Sequence, residues 1–459
     1  MLKKNEAITL QITGCTSEGS GVGHSDGIAV FVPDTAAGDT VLCRIIKAKS
    51  SYAVGKLIKI LTPSPDRQEP DCPVASACGG CVFRHIKYDA ELTHKHERVR
   101  EAFSRIGHIE VTPEPIIGAE CVNGYRNKAQ YPVAQGANGI DIGFYARMSH
   151  RVVNCADCAL QPDEFSQIRS VFIDYINEKK LSVYNENTGT GLVRNLFLRK
   201  AFSTGELMVC IVINGDTLPA YTALLDRLKN EVPGFTTLVI NINKQRTNAV
   251  TGKKTVPLYG DGYITDVLCG LKIRLSALSF YQVNRAQAQR LYGIVKEYAG
   301  CTPESTVLDL YCGTGTIGLS LARDIKSLVG VELIPEAVSD ANINASANSI
   351  TNARFICADA QAAAEKLRSE GIRPDTVILD PPRKGADRQL LETVAAMKPE
   401  RIVYVSCDPA TLARDCEHLS TLGCKLRRLC PVDLFPRTAH VECVALITRE
   451  PESQSLGVL

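Results

Sequence analysis

The chain of 459 residues has no tryptophan and only 4 methionines, but 18 cysteines. Net charge is almost absent: 52 Lys and Arg against 50 Asp and Glu give +2. That excludes a protein that grips nucleic acid by global basicity, so an anionic partner must meet a local patch. No stretch approaches the roughly 20 uninterrupted apolar residues of a membrane helix. Behind Lys3 and Lys4 there is no apolar signal core, only NEAITLQITG. A disulfide-rich secreted scaffold is therefore excluded, and a reducing, cytoplasmic compartment is expected. The cysteines are read as metal ligands or nucleophiles rather than crosslinks. With 45% hydrophobic and 22% charged residues, a disordered chain is excluded as well.

At roughly 100–200 residues per domain the length points to two to four domains. The first division, 1–61, holds Val- and Ile-rich runs: ITLQI (8–12), GIAVFVP (27–33), DTVLCRII (39–46) and YAVGKLIKIL (52–61). Gly, Ser and Asp clusters separate them, the pattern of a small all-β barrel of the kind that binds RNA. PSPDRQEPDCP (63–73) breaks the chain. A helical stretch follows over about 84–107, ending at Gly107, and irregular strands and helices continue to 272. This division, 62–272, is read as a cysteine-bearing segment plus a central α+β domain with scattered basic residues. From 273 to 459 the runs STVLDLYC, KSLVGVE, ARFICAD, DTVILDPP and RIVYVSC each precede a helical stretch. That rhythm predicts an α/β fold with a Rossmann-like, doubly wound parallel sheet and a ligand at the strands' carboxyl ends.

The first of those strands runs into Cys312-Gly313-Thr314-Gly315-Thr316-Ile317-Gly318, and Glu332 lies 19 residues beyond Gly313. Glycines there admit a ligand to the backbone, and an acidic side chain ending the next strand accepts ribose hydroxyls. A nicotinamide dehydrogenase fits that loop as well as a methyltransferase does. Two later strand ends separate the readings: Leu379-Asp380-Pro381-Pro382-Arg383 and Val405-Ser406-Cys407-Asp408-Pro409. A dehydrogenase has no general need for either. An enzyme that methylates a pyrimidine ring carbon needs a polar residue near the methyl donor and a thiol. The thiolate adds to C6 so that C5 becomes nucleophilic, and a base then removes the C5 proton. Cys407 is the candidate nucleophile. Glu442, within DLFPRTAHVEC (433–443), is the candidate base, with His440 beside it.

VLDLYCGTGTIGL (307–319), LDPPRKG (379–385), YVSCDPATLARD (404–415), VDLFPRTAHVECVAL (432–446) and SFYQVN (279–284) resemble the RNA (uracil-5-)-methyltransferase family. The resemblance implies that Gln282, Tyr311, Thr316, Glu332, Asp359 and Asp380 contact S-adenosyl-L-methionine. It implies that Cys407 is the nucleophile and Glu442 the proton acceptor, and that Phe280 packs on a flipped-out uracil. It also implies that the N-terminal barrel is a TRAM domain. One departure is Asp408, where the family commonly has Asn. A negative charge beside Cys407 opposes thiolate formation unless it is paired or turned away.

Cys72, Cys78 and Cys81 sit at C-x5-C-x2-C, and the fourth ligand must come from downstream, Cys158 or its rival Cys155. Such spacing suits zinc or an iron–sulfur cluster and does not choose between them. CPVASACGGCVFRH (72–85) resembles the cluster segment of the family's bacterial ribosomal members, with Arg84 where Gln is usual and His85 retained. That resemblance implies a [4Fe-4S] cluster with Cys158 as fourth ligand. The expectation is thus a monomeric enzyme that methylates C5 of a uridine in 23S ribosomal RNA through a Cys–C6 adduct. The competing expectations are the same chemistry on transfer RNA, a cytosine-C5 methyltransferase, a non-catalytic RNA-binding iron–sulfur protein, and an oxidoreductase.

Overall fold

The structure, a computed structural model, describes residues 2–450. Strands β1 (Ala7–Cys15), β2 (Gly21–Ser25), β3 (Ile28–Val32), β4 (Thr40–Ala48) and β5 (Tyr52–Thr62) close a barrel in the order β1-β2-β3-β5-β4. Alternate residues point inward, and Leu10, Ile12, Val30, Val32, Val41 and Ile45 fill the interior. Four strands coincide with the apolar runs. The fifth, β2, is GVGHS, a segment that reads as turn. Its glycines are there for close approach. A Cβ on Gly21 would sit 2.0 Å from Thr35 Oγ1, and one on Gly23 would sit 2.4 Å from the Gln11 carbonyl.

Helix α1 (Tyr88–Arg105) follows, then β6 (Lys128–Gly136), β7 (Gly139–Tyr145), β8 (Val152–Asn154), α2 (Asp163–Glu178), β9 (Val193–Lys200), β10 (Leu207–Ile213), α3 (Tyr221–Glu231), β11 (Phe235–Ile242) and β12 (Lys254–Tyr259). The seven strands form one sheet, β12-β11-β10-β9-β6-β7-β8. Apolar side chains of α2 and α3, Phe165, Ile168, Phe172, Leu224 and Leu228, cover it together with Val209 and Ile211 of β10. Helix α1 does not join this core. Its Val99, Ala102 and Phe103 are buried with side chains of the C-terminal sheet and its helices.

A hairpin, β13 (Tyr263–Leu268) and β14 (Leu271–Ser276), leads into α4 (Arg285–Ala299), β15 (Thr306–Leu310), α5 (Thr316–Leu321), β16 (Ser327–Glu332), α6 (Pro335–Ala347), β17 (Ala353–Cys357), α7 (Ala360–Ser369), β18 (Thr376–Leu379), α8 (Arg388–Ala396), β19 (Arg401–Ser406), α9 (Pro409–Thr421), β20 (Cys424–Val432) and β21 (Glu442–Arg449). The sheet order is β17-β16-β15-β18-β19-β21-β20. β15 to β19 are parallel, and β21 runs antiparallel between β19 and β20. Helices pack on both faces, as doubly wound sheets require. Strand order reverses between β15 and β18, so the ligand crevice opens at their carboxyl ends. No helix among the described residues is long and apolar enough to cross a membrane.

Gly23→Val tests the close approach in the barrel. Overpacking against the Gln11 carbonyl should cost about 1–3 kcal/mol. Hydrogen exchange should then show faster amide exchange in β1–β5 and unchanged protection in β15–β19.

Candidate active site

The crevice residues come from strand ends that the parallel order sets side by side. β19 stops at Ser406 and α9 starts at Pro409, which leaves Cys407 in the turn, half-buried. In the antiparallel ladder Ser406 pairs with Cys443. Cys407 follows Ser406 just beyond the strand and Glu442 precedes Cys443, so both lie at the same end of the ladder.

Burial governs the protonation of both groups. It pushes the Glu442 carboxyl up to about 8, helped by the neighbouring Asp380, while Arg383 pulls it back. Asp380, at the end of β18, is raised to about 7 by burial. The Cys407 thiol goes up to about 11, through burial first and the Glu442 charge second, with Arg383 again opposing. The Arg383 charge therefore acts on both Cys407 and Glu442, which its position in LDPPRKG alone does not disclose. Its Nη2 lies 3.3 Å from His440 Nε2. Burial and the Arg383 charge push His440 down to about 4, so its neutral ring accepts that hydrogen bond.

The Asp408 charge opposes the Cys407 thiolate less than burial, Glu442 or Asp380 does. Asp408 Oδ1 accepts the N–H groups of Ala410 at 2.8 Å and Thr411 at 3.4 Å, capping α9. The carboxylate is spent on the helix N-terminus, where Asn and Asp serve equally well.

The glycine loop follows β15. Tyr311 adopts the left-handed region (φ 66°), an uncommon conformation for a bulky residue. Gly318 N–H donates to Asp309 Oδ2 at 2.9 Å, and a Cβ there would lie 2.7 Å from that oxygen. Glu332 accepts from Gly313 N–H at 3.1 Å and Ile334 N–H at 2.8 Å. Asp359 caps α7 through Oδ1, and Thr316 Oγ1 meets Tyr292 OH at 2.9 Å. Asp309 is a carboxyl that motif reading missed, because it lies inside an apolar strand run. Burial, with Asp380 and Glu332 nearby, raises it to about 8. A pyrophosphate brought near these acidic groups would drive them further toward the protonated form, whereas a sulfonium cation favours their ionised form.

Phe280 is 63% exposed between buried Ser279 and Tyr281. Both neighbours are pinned, Ser279 by Asp340 at 2.6 Å and Arg199 at 2.7 Å, and Tyr281 by Asp266 at 3.1 Å. The ring is thus offered to solvent from a rigid segment. Gln282 follows, its carbonyl accepting from Asn127 Nδ2 at 2.8 Å.

Cys72, Cys78, Cys81, Cys155 and Cys158 line one cavity of about 80 Å³ with Arg84 and Arg126. Among the described residues no group of three or more His, Cys, Asp or Glu is arranged to hold a metal ion. Cys155 and Cys158 differ: the Cys155 thiol donates to Cys158, which holds Cys158 below the usual thiol range. Arg84 is buried, pairs with Asp71 and bonds Asn123 at 3.1 Å, while its Nε and Nη2 lack a hydrogen-bond partner, as does Arg126 Nε.

The tRNA (uracil-5-)-methyltransferase family model matches residues 87–450, and the TRAM domain model matches residues 2–58. The chain belongs to the RNA (uracil-5-)-methyltransferase family. An RNA methyltransferase of uncharacterized function from Clostridium tetani is 40% identical over 97% of both chains. Another from Clostridium acetobutylicum is 41% identical over 98% of both. The crystal structure of Pyrococcus abyssi tRNA (uracil-54, C5)-methyltransferase with S-adenosyl-L-homocysteine superposes with a TM-score of 0.78. It is 28% identical and covers 96% of this chain and 99% of its own. Family membership makes the chain an S-adenosylmethionine-dependent RNA uracil-C5 methyltransferase with an N-terminal TRAM barrel.

Glu442→Gln removes one of the two main causes that raise the Cys407 thiol. Alkylation of Cys407 followed against pH should then show a midpoint below the native value of about 11. An unchanged midpoint means that Glu442 does not face the thiol. Asp408→Asn should keep the α9 cap and near-native melting, whereas Asp408→Ala should cost about 1 kcal/mol, read by urea denaturation.

Proposed function

We propose that this methyltransferase forms 5-methyluridine in 23S ribosomal RNA through a covalent bond between Cys407 and uracil C6. The observation that carries the chemistry is that β19 ends where β21 begins, Ser406 pairing with Cys443, with Cys407 and Glu442 adjoining that pair and the Glu442 charge near enough to raise the Cys407 thiol. Cys407 sulfur adds to C6, and the electron pair moves onto C5 and the O4 enolate. When bound, S-adenosylmethionine supplies a sulfonium methyl as electrophile. Gln282, Tyr311, Thr316, Glu332, Asp359 and Asp380 are the residues proposed to hold it. Glu442 then takes the C5 proton, and the electron pair left at C5 expels the Cys407 thiolate from C6. Phe280 is the proposed stacking partner of the flipped base.

We assign Cys72, Cys78, Cys81 and Cys158 to a [4Fe-4S] cluster. The unpartnered Arg84 and Arg126 nitrogens beside their cavity suit an anionic thiolate group. Methyl transfer exchanges no electrons, so the proposed role is to order the RNA-facing surface. Iron and acid-labile sulfide should be found in equal amounts and should both fall in Cys78→Ser, together with RNA affinity. A native content of both in Cys78→Ser rejects the assignment.

The ribosomal substrate rests on the resemblance of residues 72–85 to ribosomal members. A second reading, transfer RNA, draws support from the Pyrococcus abyssi tRNA enzyme, whose match covers 96% of this chain. Mapping 5-methyluridine in ribosomal and transfer RNA of cells lacking the protein separates the two. Loss from 23S RNA supports the first, and loss from transfer RNA alone overturns it. Purified Cys407→Ala should transfer no methyl group. Glu442→Gln should turn over about 10²–10⁴-fold more slowly and accumulate an RNA–protein adduct on denaturing gels. Because Glu442 accepts a proton only when ionised, product release should rise with pH through about 8.

A further inference from the structure

Helix α1 carries Tyr88, Glu91, Lys95 and Arg98 at spacings of three and four, one polar stripe along a helix face. Every residue of that stripe bonds to the segment 433–439, which leads directly into Glu442. Tyr88 OH donates to Asp433 Oδ2 at 2.7 Å. Lys95 Nζ donates to Glu91 Oε1 and Asp433 Oδ1, each at 2.7 Å, and to the Phe435 carbonyl at 3.2 Å. Glu91 Oε1 accepts the Arg437 N–H at 2.7 Å, and Arg98 Nη1 donates to the Ala439 carbonyl at 2.6 Å.

Glu91, Lys95 and Asp433 are at most 1% exposed, and Arg437 is 6% exposed. Two carboxylates and two cations thus sit balanced in the interior. Buried ion pairs return little stability for their desolvation cost, and one attested use is to specify geometry. Arg437 is the node that needs specifying. It holds the left-handed region (φ 69°), where a residue with a side chain persists only if its surroundings dictate it. Its guanidinium bonds the Ile86 carbonyl at 3.1 Å, and its own carbonyl accepts Val82 N–H at 2.9 Å and Phe83 N–H at 3.2 Å.

We propose that Glu91, Lys95 and Arg98 of helix α1 are positioning residues for the proton-abstraction step, acting through Asp433, Arg437 and Ala439 to hold Glu442 at the reacting carbon. Their hydrogen bonds run to one another and to the segment 433–439. The inference rests on Glu442 being the base. It separates two functions in space: addition of Cys407 depends on β19 and α9, whereas release depends on a loop gripped from outside the methyltransferase sheet.

The test follows formation and decay of the covalent RNA–protein complex at saturating S-adenosylmethionine, with Glu442→Gln as benchmark. Arg98→Met, at a half-buried position, and the charge-neutral pair Glu91→Gln with Lys95→Met are compared with Arg98→Lys. Adduct formation and KM for RNA should stay within about twofold. Release should slow by about 10- to 100-fold in both, and Arg98→Lys should restore it. If Glu442→Gln releases product normally, the base assignment itself falls. If Glu442→Gln traps the adduct while Arg98→Met and the double variant release it at the native rate, the positioning role is overturned. Equal slowing of adduct formation and release also overturns it, since that is what a merely structural role produces.

Discussion

One strand reversal arranges the whole site. Parallel strands present only their carboxyl ends at the crevice, so the side chains of β15 to β19 arrive there at or near a strand's end. β21 runs the other way between β19 and β20, and therefore delivers its first residue, Glu442, to the same edge. Thiol and carboxylate come to the same end of the ladder because Ser406 pairs with Cys443. A one-residue slip of that ladder would turn Glu442 to the other face of the sheet. The apolar run CVALI that follows Glu442 lies in the core and resists such a slip.

The electrostatic cost of the arrangement is plain. Asp309 and Glu442 are buried, Asp380 is half-buried, and desolvation makes them hold protons to about 8, 8 and 7. Unfolded, they would release them near 4. For an acid whose folded pKa is raised, the folded chain binds more protons over that interval, so stability falls as pH rises from about 4 to about 8. A cation entering the crevice reverses the penalty by favouring the ionised carboxyls. Arg383 provides part of that relief from within, facing Glu442 and Cys407 while His440 stays neutral to accept from it. The crevice is thus poor at stabilising itself and suited to a positively charged methyl donor.

Much of this was legible in the amino acids, for reasons that differ by element. Strands β15, β16, β18 and β19 read clearly because a sheet covered on both faces writes its inner strands as nearly continuous apolar runs, while β17, at the edge, reads through its place in the alternation with helices. The turn after β19 read clearly because Cys-Asp-Pro ends a strand and starts a helix at once. β2 did not read, because its glycines serve a close approach that only a closed barrel imposes. Nor did β20, CKLRRLCPV, whose charged side chains and bulge at Leu426–Arg428 belong to an edge strand. Asp309 was hidden inside VLDL, and the role of Arg383 was hidden because nothing in sequence spacing says which way an arginine turns. Helix α1 was legible as a helix but not in its docking. Its neighbours in sequence are the cysteine segment and the central domain, yet its apolar face joins the core around α9.

That docking ties the cysteine segment to the chemistry. Val82 and Phe83, adjoining Cys81, both donate to the carbonyl of Arg437, and Arg437 reaches back to Ile86. A single backbone carbonyl thus joins the edge of the cysteine cavity to the loop that carries Glu442. Two N–H groups converging on one oxygen tolerate little displacement before one bond is lost. A change in the path of residues 78–83 is therefore transmitted to Arg437, whose left-handed backbone has few alternatives. Thiolate ligation around Cys72, Cys78, Cys81 and Cys158 would fix that path, and its electron-transfer capacity would be incidental. The proposed cluster would then serve a reaction that moves no electrons as a covalent brace behind the loop that carries Glu442.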